Sequence, residues 1–431
     1  MSAILPLIIF VIQFGALCGV WWFTTDHNKR DFIFWLIGAM LAAQNGRFFG
    51  SVLFVQLRYL FIPMMILAIL FRQQFLRGNM GGNAWRLILL FLLIFVASAW
   101  SDHPREFFSL KLRRTVYGVL MVVMAGTFRD ERDLRKLLWA ILPNIILLAV
   151  GLQLGERNTI GDDQRLEVNE FNANGVGVFA GYLLFSSVAQ FIFLKHHVIV
   201  KILLVLAGLS GLVTLLGTGS RTAFASCTGA SLVILMVVLT NRKRIITTAI
   251  PLAVGLVACG WKVWNTLSYS VAQRLLLLAS GGYSGREDVW AEGFRWLFQK
   301  KLWYGMGGIV QGFFVQRIEF LQTNEMHWGS TLNIYFDAIL ETGVFGLALW
   351  LSILVSFFTA AYSLWRREHN PWRYFPIALA MFGLLQGVGE SMSYRAEHPA
   401  GMFLMIGLTV LSARRFQWRQ QPIQPFPYQN V

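Results

Sequence analysis

Thirteen apolar runs, most of them close to the length of a membrane span, constrain this chain more than any other feature. A helix needs about 20 apolar residues to cross the hydrocarbon core. Only helices and closed barrels satisfy their backbone polar groups inside it. The runs lie at 3–23, 32–49, 52–71, 87–100, 115–127, 137–154, 176–195, 198–216, 222–240, 246–261, 334–364, 374–391 and 400–413. Three of them, 87–100, 115–127 and 400–413, are short for a span. The expectation is an all-α fold: a polytopic helical membrane protein of about 12–13 transmembrane helices, one integral membrane domain over 1–431. Only 14% of residues are charged, against about 25% in a typical soluble domain, and no segment is long and polar enough to form a separate soluble domain. The start, Met1-Ser2-Ala3, has no basic n-region and leads directly into a run, which predicts an uncleaved first helix.

Charge then orients the runs. Lys29-Arg30, Arg72 to Arg86, Arg129 to Lys136, Arg242-Lys243-Arg244, Arg366-Arg367 and the tail from Arg414 fall on every second connection. By the positive-inside rule these connections are cytoplasmic. The excess of 37 Lys+Arg over 22 Asp+Glu therefore reads as topology, not nucleic-acid binding. The other face receives His103 and Arg105, segment 155–175, the Thr218–Thr222 turn, the long polar stretch 262–331, and Arg395 to His398. The long stretch reads as a loop containing helices on the non-cytoplasmic face, which the resemblance drawn below makes the periplasmic one. Within it Trp290, Phe294, Leu297 and Phe298 recur at helical spacing, either capping the bundle or shaping a substrate site. Run 334–364 exceeds one span, and Gly343 and Gly346 are placed to bend it.

Several chemistries are unsupported. There is no P-loop and no Gly-x-Gly-x-x-Gly between a strand and a helix, so no nucleotide site is expected. Cys18, Cys227 and Cys259 lie in apolar runs and read as packing residues. Asp162-Asp163 with Glu167 and Glu170 fits no metal-loop spacing. No cofactor and no metal are expected.

What remains is a set of cations and one imidazole on the outer face. Arg221 follows Gly217-Thr218-Gly219-Ser220 and opens a run; hydroxyls and free amides at a helix start, with an arginine, make an anion site. Its alternative is a side chain snorkelling to headgroups. Arg286 lies in a second Gly-containing turn, Ser284-Gly285-Arg286, with a salt bridge to Glu287 or Asp288 as the alternative. Two arginine forks match a pyrophosphate. His327 is the only histidine of the long stretch, and histidine is the commonest general base near neutral pH. His103 and His398 are weaker candidates. His27, His196-His197 and His369 belong to the basic face. Asp337 and Glu341 share a helix face, and Glu390 ends another run; an ionisable group inside a span is functional by default, although Glu341 could pair structurally.

Taken in order, these residues resemble the O-antigen ligase and O-antigen polymerase family of bacterial envelope proteins. The likeness covers about 160–350: Arg165 with Asn172-Ala173-Asn174-Gly175, Gly219-Ser220-Arg221-Thr222-Ala223, Ser284-Gly285-Arg286, Leu302-Trp303-Tyr304-Gly305-Met306-Gly307, and Leu332-Asn333-Ile334-Tyr335 before Glu341-Thr342-Gly343-Val344-Phe345-Gly346. The resemblance implies metal-independent glycosyl transfer on the periplasmic face of the bacterial inner membrane, from a glycan on undecaprenyl pyrophosphate. It implies catalytic roles for Arg221, Arg286 and His327, and substrate contacts from Arg165, Asn174, Asn333 and Glu341; Arg395 and His398 join these from their place on the outer face. Where the family has His-Asn, this chain has Leu332-Asn333, which favours polymerase over ligase. The partners implied are lipid-linked oligosaccharide donor and acceptor, the bilayer, and a chain-length-regulating co-polymerase. A glycan flippase is the alternative of another class. It would need charge lining several spans and, as in many transporters, an inverted repeat, and neither is visible.

Overall fold

The computed structural model describes residues 29–46, 52–76, 79–101, 104–154, 157–160, 165–168, 173–239, 333–367, 371–389 and 398–413, with short pieces between 291 and 307. Its helices are α1 Phe32–Gly46, α2 Val52–Leu76, α3 Gly82–Ala97, α4 Pro104–Gly126, α5 Glu131–Leu154, α6 Ala173–Phe193, α7 Val198–Thr218, α8 Arg221–Leu239, α9 Ile334–Arg367, α10 Tyr374–Gly389 and α11 Pro399–Ser412. Among the described residues five stretches are long and apolar enough to cross a membrane: Gly82–Trp100, Glu131–Gln153, Asn174–Phe193, Val198–Thr218 and Ile334–Ser363. The expected class is correct: this is a polytopic helical membrane protein. Runs 3–23 and 246–261, almost all of 262–331, His327, Arg286 and Arg395 lie outside the described residues.

Two expectations shift. The run placed at 115–127 is the second half of a 23-residue helix beginning at Pro104. Its first half carries Arg105, Glu106, Lys111, Arg113 and Arg114, which hide it from a hydropathy reading. Segment 155–175, read as a plain connection, contains an antiparallel hairpin, β1 Arg157–Ile160 and β2 Arg165–Val168, in which Arg157 faces Val168 and Ile160 faces Arg165.

Close helix contacts come from small residues, which let backbones approach where lipid gives no hydrophobic drive to associate. A side chain on Gly211 of α7 would meet the Ala180 carbonyl of α6 at 2.9 Å, and one on Gly383 of α10 would meet the Ala400 carbonyl of α11 at 2.7 Å. Around these contacts lies one continuous apolar core that includes Phe34, Tyr117, Phe128, Phe179, Phe185, Trp350, Phe375 and Phe403.

The contacts sort the helix ends into two sets. At one end Arg72 of α2 is buried; it pairs with Asp133, donates to the carbonyls of Thr127 (3.1 Å) and Arg30 (3.2 Å), and lies over the Phe34 ring. Lys136 donates to Asp31 at 2.6 Å, and Asn79 ties the chain to the Gly126 and Phe128 carbonyls. Arg135 lies over the Trp372 ring there. These are the basic connections of the sequence reading, but Arg72 is a buried structural cation and not a loose topology charge. The opposite end collects Trp100, Asn174, Arg221, Asn333, Val388 and His398.

Candidate functional site

Four of the six described candidate residues can be located by their side chains at this second end. Arg221 is the first residue of α8. It follows Gly219, which ends α7 in the left-handed region at φ 59, a conformation that favours glycine. The turn is tightened by Thr218, whose Oγ1 accepts from the Ser220 amide at 3.3 Å. Arg221 is exposed and has no ion pair or hydrogen bond among the described residues. Beside it, the Ser220 hydroxyl is buried with no hydrogen-bond partner among them, and a side chain on Gly177 of α6 would collide with Ser220. An unpaired guanidinium at a helix start, where the dipole also favours negative charge, suits an anion.

Below Arg221 lies an apolar cavity of about 400 Å³ between α6, α7 and α8. Its α8 wall is Phe224, Cys227, Thr228, Ser231, Leu232 and Leu235; of these, Phe224, Thr228, Ser231 and Leu235 follow residue 221 in steps of three and four. Such steps keep one helix face, so the cavity and the cation share a side of α8.

Asn333 caps α9. Its Oδ1 accepts from the amides of Tyr335 (2.9 Å) and Phe336 (3.2 Å), and its Nδ2 donates to the Val388 carbonyl at 2.8 Å. It therefore fixes where α9 starts against the end of α10. His398 caps α11, accepting from the Ala400 amide at 3.4 Å, and its ring meets Phe179 of α6 edge-on at 5.1 Å. Asn174 lies half-buried in the first turn of α6. Arg165 is in β2.

Glu341 is buried in α9 and paired with Lys111 of α4, the two side chains being 7% and 1% exposed. Two residues later Gly343 interrupts α9 with φ 66 and ψ −154. Lys111 is absent from the sequence reading. Its only signal is a lysine at the apolar end of a charged stretch, and that signal becomes visible once α4 is known to start at Pro104. The charges of Arg114 and Asp337 also act on Lys111. Among the described residues no group of three His, Cys, Asp or Glu could hold a metal ion.

No curated protein matches the chain. Residues 202–351 match the family model described as O-antigen ligase; the match runs from α7 through Arg221 to the kinked first half of α9. Over that segment this multi-pass membrane chain is similar to the O-antigen ligase family.

Proposed function

We propose that the protein polymerises the repeat units of a bacterial surface polysaccharide or exopolysaccharide, transferring glycan from undecaprenyl pyrophosphate at the periplasmic face of the inner membrane. The observation that carries the reading is Arg221: an exposed arginine at a helix start, unpaired among the described residues, above an apolar cavity on the same face of α8. A cation over a hydrocarbon groove fits a lipid with an anionic head. A planar two-donor fork fits a phosphate oxygen pair.

In this reading Arg221 and Arg286 hold the pyrophosphate. The acceptor hydroxyl attacks the anomeric carbon, the bond from that carbon to the pyrophosphate oxygen breaks, and the lipid pyrophosphate leaves with its charge neutralised. His327 takes the hydroxyl proton. Asn174, Arg165, Arg395 and His398 border the sugar. A chain-length-regulating co-polymerase is the partner such a polymerase would use.

The description of the matching family model favours ligase as the second reading. The two separate cleanly in proteoliposomes supplied with a lipid-linked repeat unit. Polymerase activity gives a ladder of lengths still bound to polyprenyl pyrophosphate, and Arg221→Ala removes it. Transfer of one glycan to lipid A core, with no ladder, replaces the polymerase reading by the ligase one. Neither product from well-folded protein refutes glycan transfer.

A further inference from the structure

We infer that Lys111 and Glu341 are a positioning pair, which holds the outer-face turn Trp303–Gly307 in the break of α9 and so sets the geometry of transfer. Three observations converge on Glu341. In an unbroken helix a carbonyl accepts from the amide four residues on. At Gly343 α9 leaves helical geometry, and there the Glu341 carbonyl accepts from the amide of Gly307 at 3.1 Å. The carboxylate of the same residue is held by Lys111, from a different helix. Glu341 is thus fixed at its backbone by the turn and at its side chain by α4.

The turn is clamped from its other side. Trp100 donates from its indole nitrogen to the Tyr304 carbonyl at 3.1 Å, with the two rings edge to face. Gly305 and Gly307 both have positive φ, 72 and 79. A side chain on Gly305 would meet the Glu341 backbone at 2.5 Å, and one on Gly307 would meet the Ala97 carbonyl at 2.3 Å. Just before the turn, Phe294 packs edge-on against Phe336 at 4.9 Å, and Leu297 is buried with Ile339 and Leu340. Phe294 and Leu297 are therefore seated along the first half of α9, and Gly305 and Gly307 lie against Glu341, the partner of Lys111.

Energetics argue for a role beyond stability. Replacing a buried ion pair by apolar residues of similar volume is often neutral or stabilising, whereas breaking one by removing a partner is strongly destabilising. A buried pair is thus poor at stability alone. It does supply a single register between α4, the turn and α9. A misplacement of about 1 Å far from the reacting atoms can lower a rate on the order of a hundredfold.

The catalytic half of this inference rests on the glycan-transfer reading; its structural half does not, and the two are read separately. Docking of the turn is measured in membranes as disulfide formation between Trp100→Cys and Tyr304→Cys, with the three native cysteines replaced by alanine. Lys111→Met and Glu341→Gln should each lower the cross-link yield. Their kcat on a lipid-linked repeat unit should fall about ten- to a hundredfold, with KM for the donor unchanged. The exchange Lys111→Glu with Glu341→Lys should restore the cross-link and part of kcat. Full cross-linking in the single variants overturns the clamp whether or not any glycan product is seen. Lost activity with the cross-link intact overturns positioning in favour of direct substrate contact. Should the single variants fail to accumulate, Gly307→Ala decides, because it displaces the turn and leaves the pair untouched: a fall in kcat at constant KM supports the inference, and wild-type kcat overturns it.

Discussion

The amide of Gly307 reaches the carbonyl of Glu341 only because α9 breaks at Gly343. Near φ 66 and ψ −154 a residue with a side chain is strained by about 1–3 kcal/mol. Gly343→Ala should therefore destabilise the protein by about that amount, or straighten α9 and release the turn. Chemical unfolding in detergent measures the first and protease sensitivity near Gly305 the second. Wild-type values for both would mean that the break tolerates a side chain.

At the opposite end, Arg72 binds Asp133 and two carbonyls while buried. Arg72→Ala leaves the Asp133 carboxylate without its partner, a change that typically costs about 3–5 kcal/mol. Less folded protein in the membrane is expected, measured by fluorescence-detected size exclusion. Turnover per folded molecule should stay at the wild-type level, because the site is at the other end.

Arg221→Lys and Arg286→Lys keep the charge and lose the planar fork. Each should lower transfer by the equivalent of about 2–4 kcal/mol, by analogy with removing one donor from an oxyanion site. Ladder formation at matched expression is the measurement. Normal ladders from both would return Arg221 to the role of a headgroup anchor.

His327→Ala should accumulate normally and make little product, since loss of a general base typically lowers a rate about a hundred- to ten-thousandfold. His398→Ala should instead show the loss of a helix cap, about 1 kcal/mol of stability, with product still formed. The opposite pattern would move the base to His398, which lies at the same end of the bundle as Asn333.

His196 connects α6 to α7 at the basic end, against the Trp139 ring and 3.0 Å from the Gln190 side-chain oxygen. Burial first, and then the Lys201 charge, hold its imidazole below the ordinary histidine range. The folded state thus refuses a proton that the unfolded chain accepts near pH 6.5. Stability should be full above that pH and decline as the pH falls through it. Thermal unfolding between pH 8 and 5 should show this slope, and His196→Gln should flatten it.

The sequence by itself determined the class of fold, the sites of nearly all the described helices, and the bend at Gly343. Hydropathy and charge sum along the chain, and in a bilayer they decide which segments are buried and which connections share a side. They do not report which helices touch. Arg72 therefore counted as one more basic residue of a connection until α2 was packed against α5. Lys111 stayed inside a stretch too charged to read as a span. Only tertiary structure brought Lys111 to Glu341 across 230 residues, and placed the Gly307 amide on the Glu341 carbonyl beside the break in α9. A buried charge is stable only beside its partner, and that partner is chosen by packing in three dimensions.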